Sequence, residues 1–287
     1  MREFDEANIT RAVVDRLGDC DDPRFVRVMS SLVVHLHDFV RDVQLTEAEW
    51  LAAIRFLTNV GQTCSEKRQE FILLSDTLGV SVLVVTLNHP THGDSTDSTV
   101  LGPFYWEGAP ELPRGSDLGE GVKGEAAFYS GRVLSADGSP LTNAVLDIWS
   151  VDGDGVYDMQ VPGSGMKARG RIRTDSEGRY WFRSVKPMFY PVPTDGPVGV
   201  MLRKMGRHPN RPGHIHMIVS APGHLPVTTH LFVADSDYLD SDAVFGTKES
   251  LIVQFERHPA GVAPDGSHIE TPFYTVEYEF RLSKSEQ

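Results

Sequence analysis

The hydrophobic period of this chain changes once along its length, and that change confines it to a helix-then-strand architecture. Near the C-terminus Tyr274, Val276, Tyr278, Phe280 and Leu282 alternate with Thr275, Glu277, Glu279 and Arg281. Successive side chains of a strand point to opposite faces, so this segment predicts a strand with one buried and one wet face. FYSGRVLSADGSPLTNAVLDIWS has strand-like runs around the Asp137-Gly138 turn signal, and GRYWFRSV, HIHMIVS and TTHLFVA are short β-rich runs bounded by Gly, Pro and Asp. Several such runs predict a β-sandwich over residues 125–287.

Residues 1–90 instead carry helical patterns. Thr46 followed by Glu49 is a capping box, in which side chains satisfy the free N–H groups of a first turn. Trp50, Leu51, Ile54, Leu57 and Thr58 then recur at helical spacing. RFVRVMSSLVVHLHDFVRDV forms a second amphipathic pattern. His35 and His37 lie within it, but residues two apart on a helix diverge, so they read as partly buried polar positions rather than joint ligands. GVSVLVVTLNH fits a buried helix or a buried strand, and its helical surroundings favour the helix. Residues 91–124, rich in Gly, Pro, Ser and Asp, read as a long ordered linker. The expected fold class is mainly β, with a sandwich preceded by an α-helical N-terminal domain.

Charge and cysteine usage narrow the functions. A net charge of −13 argues against nucleic acid, where affinity comes from Lys and Arg on phosphates. Cys20 and Cys64 are the only cysteines, too few for a disulfide framework or a cysteine-based zinc or iron–sulfur site. Any metal must then be held by His, Tyr, Asp or Glu. The N-terminus lacks a basic segment followed by an apolar one, and the run Val80–Leu87 is too short to span a bilayer. The expectation is a cytoplasmic protein with no membrane association.

RPGHIHM, residues 211–217, places His214 and His216 two apart on a strand, projecting to one side at a separation one metal ion can bridge. Two solvent-facing or hydrogen-bonded histidines would read the same way. Tyr157 in SVDGDGVYDM and Tyr190 in VKPMFYPVP stand in Gly- or Pro-rich loops at strand ends, where functional residues concentrate. Taken alone, each is equally an ordinary core or surface aromatic.

Taken together, GRVLSADGSPLTNAVLDIWSVDGDGVYD, YWFRSVKPMFYPVPTDGPVG and GRHPNRPGHIHMIVSAPGH resemble the intradiol ring-cleavage dioxygenases. The helical half and STVLGPFYW extend the resemblance over essentially the whole chain, and YPVPTDGPVG and YLDSDAVFGTKESLIV resemble the hydroxyquinol-cleaving branch. The resemblance implies one ferric ion, Fe(3+), per subunit in the sandwich domain, held by Tyr157, Tyr190, His214 and His216 with a hydroxide. Tyr190 and His216 would be axial. Tyr190 would also accept a substrate proton, and Arg211 would lie against the substrate ring. Two phenolates suit a hard trivalent cation, since a bound cation reverses the usual cost of a buried anion. The implied reaction inserts oxygen from O2 between the hydroxylated carbons of a small aromatic diol or triol. The implied pocket comprises Leu73, Asp76, Val100, Gly102, Pro103, Phe104, Val192, Pro193, Thr194 and Arg211.

Within that pocket Asp76 has two readings. It is an N-cap before TLGVSVLVV, or an acceptor for the third hydroxyl of benzene-1,2,4-triol. His230 departs from the glutamine expected in catechol-cleaving relatives and would support the site from behind the ligands, while His224 reads as structural or exposed. The resemblance further implies a homodimer through the N-terminal helices, with room for a phospholipid between them. Catechol or chlorocatechol cleavage is the alternative within the family. A transthyretin-like binding module without catalysis is the alternative outside it. A zinc hydrolase built on the two histidines lacks a nearby carboxylate in sequence.

Overall fold

The computed structural model describes residues 3–66, 68–90 and 93–285. Contacts divide the chain into residues 1–59 and 60–287, with the division inside a helix. Helices that follow residue 60 therefore belong with the sandwich. The first unit holds α1 (Ile9–Asp15), α2 (Pro23–Asp42) and most of α3 (Glu47–Thr63). Asp22 caps α2 through the backbone N–H groups of Arg24 and Phe25, ahead of Pro23 at the first turn. The Thr46–Glu49 box forms as expected: Thr46 N–H donates to Glu49 at 3.0 Å and Glu49 N–H to the Thr46 hydroxyl at 3.3 Å. His37 is half-buried and bonded to Thr10, whereas His35 is exposed because it lies on the opposite side of the helix.

In the second unit α4 (Glu70–Thr77) and α5 (Val80–Asn88) meet at Gly79, whose φ of 74° breaks the helix. The ambiguous apolar run is thus helical. No single helix among the described residues is long and apolar enough to cross a membrane. Of the expected linker, residues 91 and 92 lie outside the described residues. Its later part bonds to one edge strand of each sheet of the sandwich. The Leu112 N–H donates to Arg171 and those of Gly115 and Leu118 to Trp181 and Arg183, each at 2.8 Å. Strand edges that would otherwise present unpaired backbone groups are covered this way.

The sandwich has a four-stranded sheet of β1 (Ala126–Ser135), β4 (Arg179–Val185), β10 (Glu256–His258) and β13 (Phe273–Leu282), ordered β10-β13-β1-β4. A five-stranded sheet is ordered β3-β2-β7-β8-β9, from β2 (Val145–Ser150), β3 (Arg169–Arg173), β7 (His214–Ser220), β8 (Val227–Val233) and β9 (Ile252–Val253). Two small ribbons pair β5 (Tyr190–Pro191) with β6 (Asn210–Arg211), and β11 (Gly261–Val262) with β12 (His268–Ile269). α6 (Pro197–Lys204) lies between β5 and β6 in sequence. The buried core joins Tyr129, Phe182, Val276 and Phe280 of one sheet to Ile148, Ile215, Met217 and Leu231 of the other.

This alternation decides where chemistry can sit. On β7, Ile215, Met217 and Val219 enter the core, so His214 and His216 face outward from the sandwich. Register then aligns Arg169, Trp149, His216 and His230 in one row across β3, β2, β7 and β8. Trp149 stacks on His216 with centroids 4.7 Å apart and planes 13° from parallel.

Candidate metal centre

Four polar atoms converge over the outer face of the five-stranded sheet. Tyr157 Oη lies 2.9 Å from His216 Nε2 and 3.2 Å from Tyr190 Oη, and His214 Nε2 lies 3.1 Å from His216 Nε2. All four side chains are buried. Two atoms each ~2.0–2.1 Å from one ion lie about 3 Å apart when they subtend a right angle, so these separations would also suit ligands around one ion.

Each donor is held by its own local structure. Tyr157 begins a short 3₁₀ turn after β2, its N–H donating to the Gln160 side chain at 2.8 Å. Behind it, Asp158 and Arg169 form a bidentate pair at 2.6 and 2.5 Å, with both side chains 1% exposed. Tyr190 and Arg211 are cross-strand partners in the β5–β6 ribbon. His214 is oriented by Nδ1, which donates to the Pro212 carbonyl at 2.7 Å. That bond leaves the Nε2 lone pair directed at the cluster, the usual way a ligating histidine is fixed.

The protonation states suit a cation. Burial pushes His214 down to about 3, helped by the Arg211 charge, and burial with neighbouring His230 holds His216 low as well. Both imidazoles are therefore neutral and able to coordinate. Burial raises the Tyr157 and Tyr190 phenols, though Arg211 works against it at Tyr190. Without a cation these phenols keep their protons, and two anionic oxygens become affordable only beside a strongly charged ion. Two phenol oxygens and two imidazole nitrogens thus fit a hard, highly charged metal.

Arg211 is 2% exposed and paired through Nε and Nη2 with Asp242, at 3.0 and 3.1 Å. Its Nη1 lies 3.0 Å from His214 Nε2 and 3.5 Å from Tyr190 Oη. Of the other residues expected in a substrate pocket, Phe104 stacks on Tyr157 at 4.3 Å, and Gly102 closes on His216. Leu73 and Asp76 are buried one turn apart on α4, and Val100 is buried beside His230. Pro103 is half-buried between Gly102 and Phe104. Val192, Pro193 and Thr194 follow Tyr190 along the chain; Val192 bonds to Pro209 and Thr194 to Arg203, not to the four donors.

Two readings of the sequence need correction. Asp76 is not a helix N-cap: it lies inside α4, and the position before α5 is the left-handed Gly79. Its buried carboxyl instead bonds to Ser81 within the field of Arg211, and burial raises its pKa. Nor is the histidine strand remote from carboxylates, since Asp242 reaches Arg211 from 31 residues away. No spacing in the sequence pairs these two, and none pairs Asp158 with Arg169. His230 is closer to the centre than a supporting role required. Its ring is 4.1 Å from that of His216, and His214, His216 and His230 offer nitrogens within 4.8 Å of one another. It faces the Val100 backbone and stacks on His214 with centroids 4.7 Å apart. His224 is partly exposed and bonds to the Pro222 carbonyl at 3.0 Å.

Gly102 has a φ of 75°, and a Cβ there would stand 3.2 Å from His216 Cε1. Gly102→Ala is expected to cost about 1–2 kcal/mol from the left-handed backbone alone. It should also push the His216 ring out of register. Thermal unfolding and metal content measure the two effects, and unchanged metal content would show that the ring yields without loss.

The chain matches the family model for the catechol dioxygenase N terminus over residues 22–96 and the dioxygenase model over residues 100–284. It belongs to the intradiol ring-cleavage dioxygenases. This dioxygenase is 46% identical to the hydroxyquinol 1,2-dioxygenase of Rhizobium sp. (strain MTP-10005), over 98% of this chain and 96% of that one. It is 48% identical to the 6-chlorohydroxyquinol 1,2-dioxygenase of Cupriavidus pinatubonensis, over 99% of both. Its fold matches the crystal structure of hydroxyquinol 1,2-dioxygenase from Pseudomonas putida DLL-E4 with a TM-score of 0.90 at 46% identity, covering 98% and 99% of the two chains. Membership removes the non-catalytic and hydrolase alternatives.

Proposed function

We propose that this dioxygenase cleaves hydroxyquinol, benzene-1,2,4-triol, between its adjacent hydroxylated carbons. Both atoms of O2 enter the product, 3-hydroxy-cis,cis-muconate, which tautomerises to maleylacetate. The observation that carries the reading is the buried meeting of Tyr157, Tyr190, His214 and His216. We assign the ion as one Fe(III) per chain, because two phenolates and two imidazoles suit a trivalent hard cation. Bound there, it would supply the Lewis acidity and redox capacity that make a chelated diol reactive toward O2.

The chain's own groups have separable tasks. Tyr190 Oη, the phenol nearest Arg211, receives one hydroxyl proton from the diol. The fixed charge of Arg211 stabilises electron density that builds on the ring, a preorganised help that needs no rearrangement. Leu73, Val100, Pro103, Phe104, Val192 and Pro193 supply apolar surface that excludes water, with Gly102 and Thr194 beside them. Asp76 accepts a hydrogen bond from the third hydroxyl. Catechol lacks that hydroxyl and leaves the buried carboxyl with its Ser81 bond alone, and an acceptor position left unfilled in a buried site costs about 1–3 kcal/mol. The exposed apolar side chains of α2 and α3, among them Phe25, Leu36, Phe39, Trp50 and Ile54, support a homodimer formed through these helices, with a phospholipid enclosed. Two unpaired cysteines accord with a reducing, cytoplasmic compartment.

Two measurements test the reading. Iron-loaded protein should be red to purple from phenolate-to-iron charge transfer and consume one O2 per hydroxyquinol. A colourless, zinc-replete protein that takes up no oxygen would overturn it. Asp76→Ala should shrink the kcat/KM preference for hydroxyquinol over catechol by roughly ten- to a hundredfold. Equal loss on both substrates would move selectivity to another residue.

A further inference from the structure

The Arg211 guanidinium has five N–H donors and two buried carboxylates within its field, Asp242 and Asp76. What it does depends on which carboxylate holds it. Asp242 uses both oxygens. Oδ1 accepts from Arg211 Nε and the Val244 N–H, and Oδ2 accepts from Arg211 Nη2 and the Gly246 N–H at 3.0 Å. Those bonds take one edge of the guanidinium and leave Nη1 directed at Tyr190 and His214.

The loop that carries Asp242 is itself pinned. Tyr238 and Phe245, on either side of it, both hold positive φ, 69° and 59°, which non-glycine residues keep only when their surroundings impose it. Arg207 donates to the Thr77 carbonyl at 2.5 Å and to the Ala243 carbonyl at 2.8 Å, so one side chain ties the loop to the end of α4 that bears Asp76. The same Arg207 lies over the Phe245 ring at 4.7 Å. Helix, loop and guanidinium are one hydrogen-bonded assembly.

We propose that Asp242 is a positioning residue that keeps Arg211 on the metal side of the pocket and away from Asp76. Asp76, bonded to Ser81, thereby keeps an acceptor position open to a substrate hydroxyl, so Asp242 governs both turnover and selectivity without touching substrate. This rests on the dioxygenase reading above. With the Asp242 carboxylate gone, the guanidinium turns toward the remaining buried carboxylate.

Asp242→Asn and Asp242→Glu, both iron-loaded, test this. The expected result is iron content near wild type, a shifted visible band because Arg211 no longer faces Tyr190, and kcat lowered by about a hundredfold, the scale of a small misplacement at a reacting centre. The hydroxyquinol-over-catechol preference should fall in the Asp242 variants, and adding Asp76→Ala should lower it little further. In an Arg211→Lys background, Asp242→Asn should cost far less than in wild type. If Asp242→Asn is too unstable to purify, Asp242→Glu carries the test, since it keeps the charge and displaces the guanidinium. An unmoved band with unchanged turnover and preference in Asp242→Glu would overturn the proposal. Multiplicative losses with Arg211→Lys would do the same and leave Asp242 a fold residue. If wild type binds iron but cleaves no diol, the functional reading fails, and the band shift still reports on Asp242.

Discussion

On the proposed iron assignment, His216→Ala will weaken metal binding by more than about a hundredfold, beyond the ten- to hundredfold typical of losing a partner behind the ligands, and will abolish ring cleavage. Alanine removes one of four buried donors and also the ring on which Trp149 stacks. The neighbouring phenols would then sit buried beside a weaker ion, and burial already favours their protonated forms. Metal analysis after dialysis and the visible band measure the loss together. His230 sharpens the test, since its nitrogens lie in the same cluster. A His216→Ala protein that keeps stoichiometric iron would mean that His230 has taken the position, and His216→Ala with His230→Ala would then empty it.

The second large effect is on stability. Asp158→Asn should cost about 3–5 kcal/mol, because it leaves Arg169 charged, buried and without its counter-ion. At the scale of this chain that corresponds to a fall in Tm on the order of 10 °C. Asp158 also accepts the N–H groups of Met159 and Lys167, so the loop that follows Tyr157 loosens with it. Replacing both partners, Asp158→Leu with Arg169→Met, should recover much of the stability, since an apolar pair of similar volume carries no desolvation cost. Chemical denaturation of the two variants checks this. If the single variant unfolds like wild type, the pair is not a structural keystone of the site.

Alternation along residues 274–282 predicts a strand with one wet face. The strand is there, with Val276, Phe280 and Leu282 buried and Glu277 and Glu279 exposed. That legibility has a local cause: burial on one face imposes a period of two on the residues themselves. The parallel pairing of this strand with β1 has no such trace, because the two are far apart in sequence and pairing by backbone groups is blind to side-chain type. Which helices group with the sandwich leaves no mark in the sequence for a related reason. Amphipathic helices look alike whether they pack on their own unit or on the sandwich, and contacts alone assign α4 and α5 to the latter.

At the site, the same division holds. The two-residue spacing of His214 and His216 by itself determined that both face one side of a strand, and motif resemblance singled out Tyr157, Tyr190 and Arg211. Only the tertiary structure decided that the four donor atoms meet at about 3 Å, as ligands around one ion do. It alone decided that Asp242 grips Arg211, that Asp158 grips Arg169, and that Asp76 is a buried helical carboxyl rather than a cap. Ion pairs of this kind join side chains from separate strands and loops. Their partners are chosen by the register of the sheet and the course of the loops, quantities that depend on the whole packed chain and leave no periodic mark in its sequence.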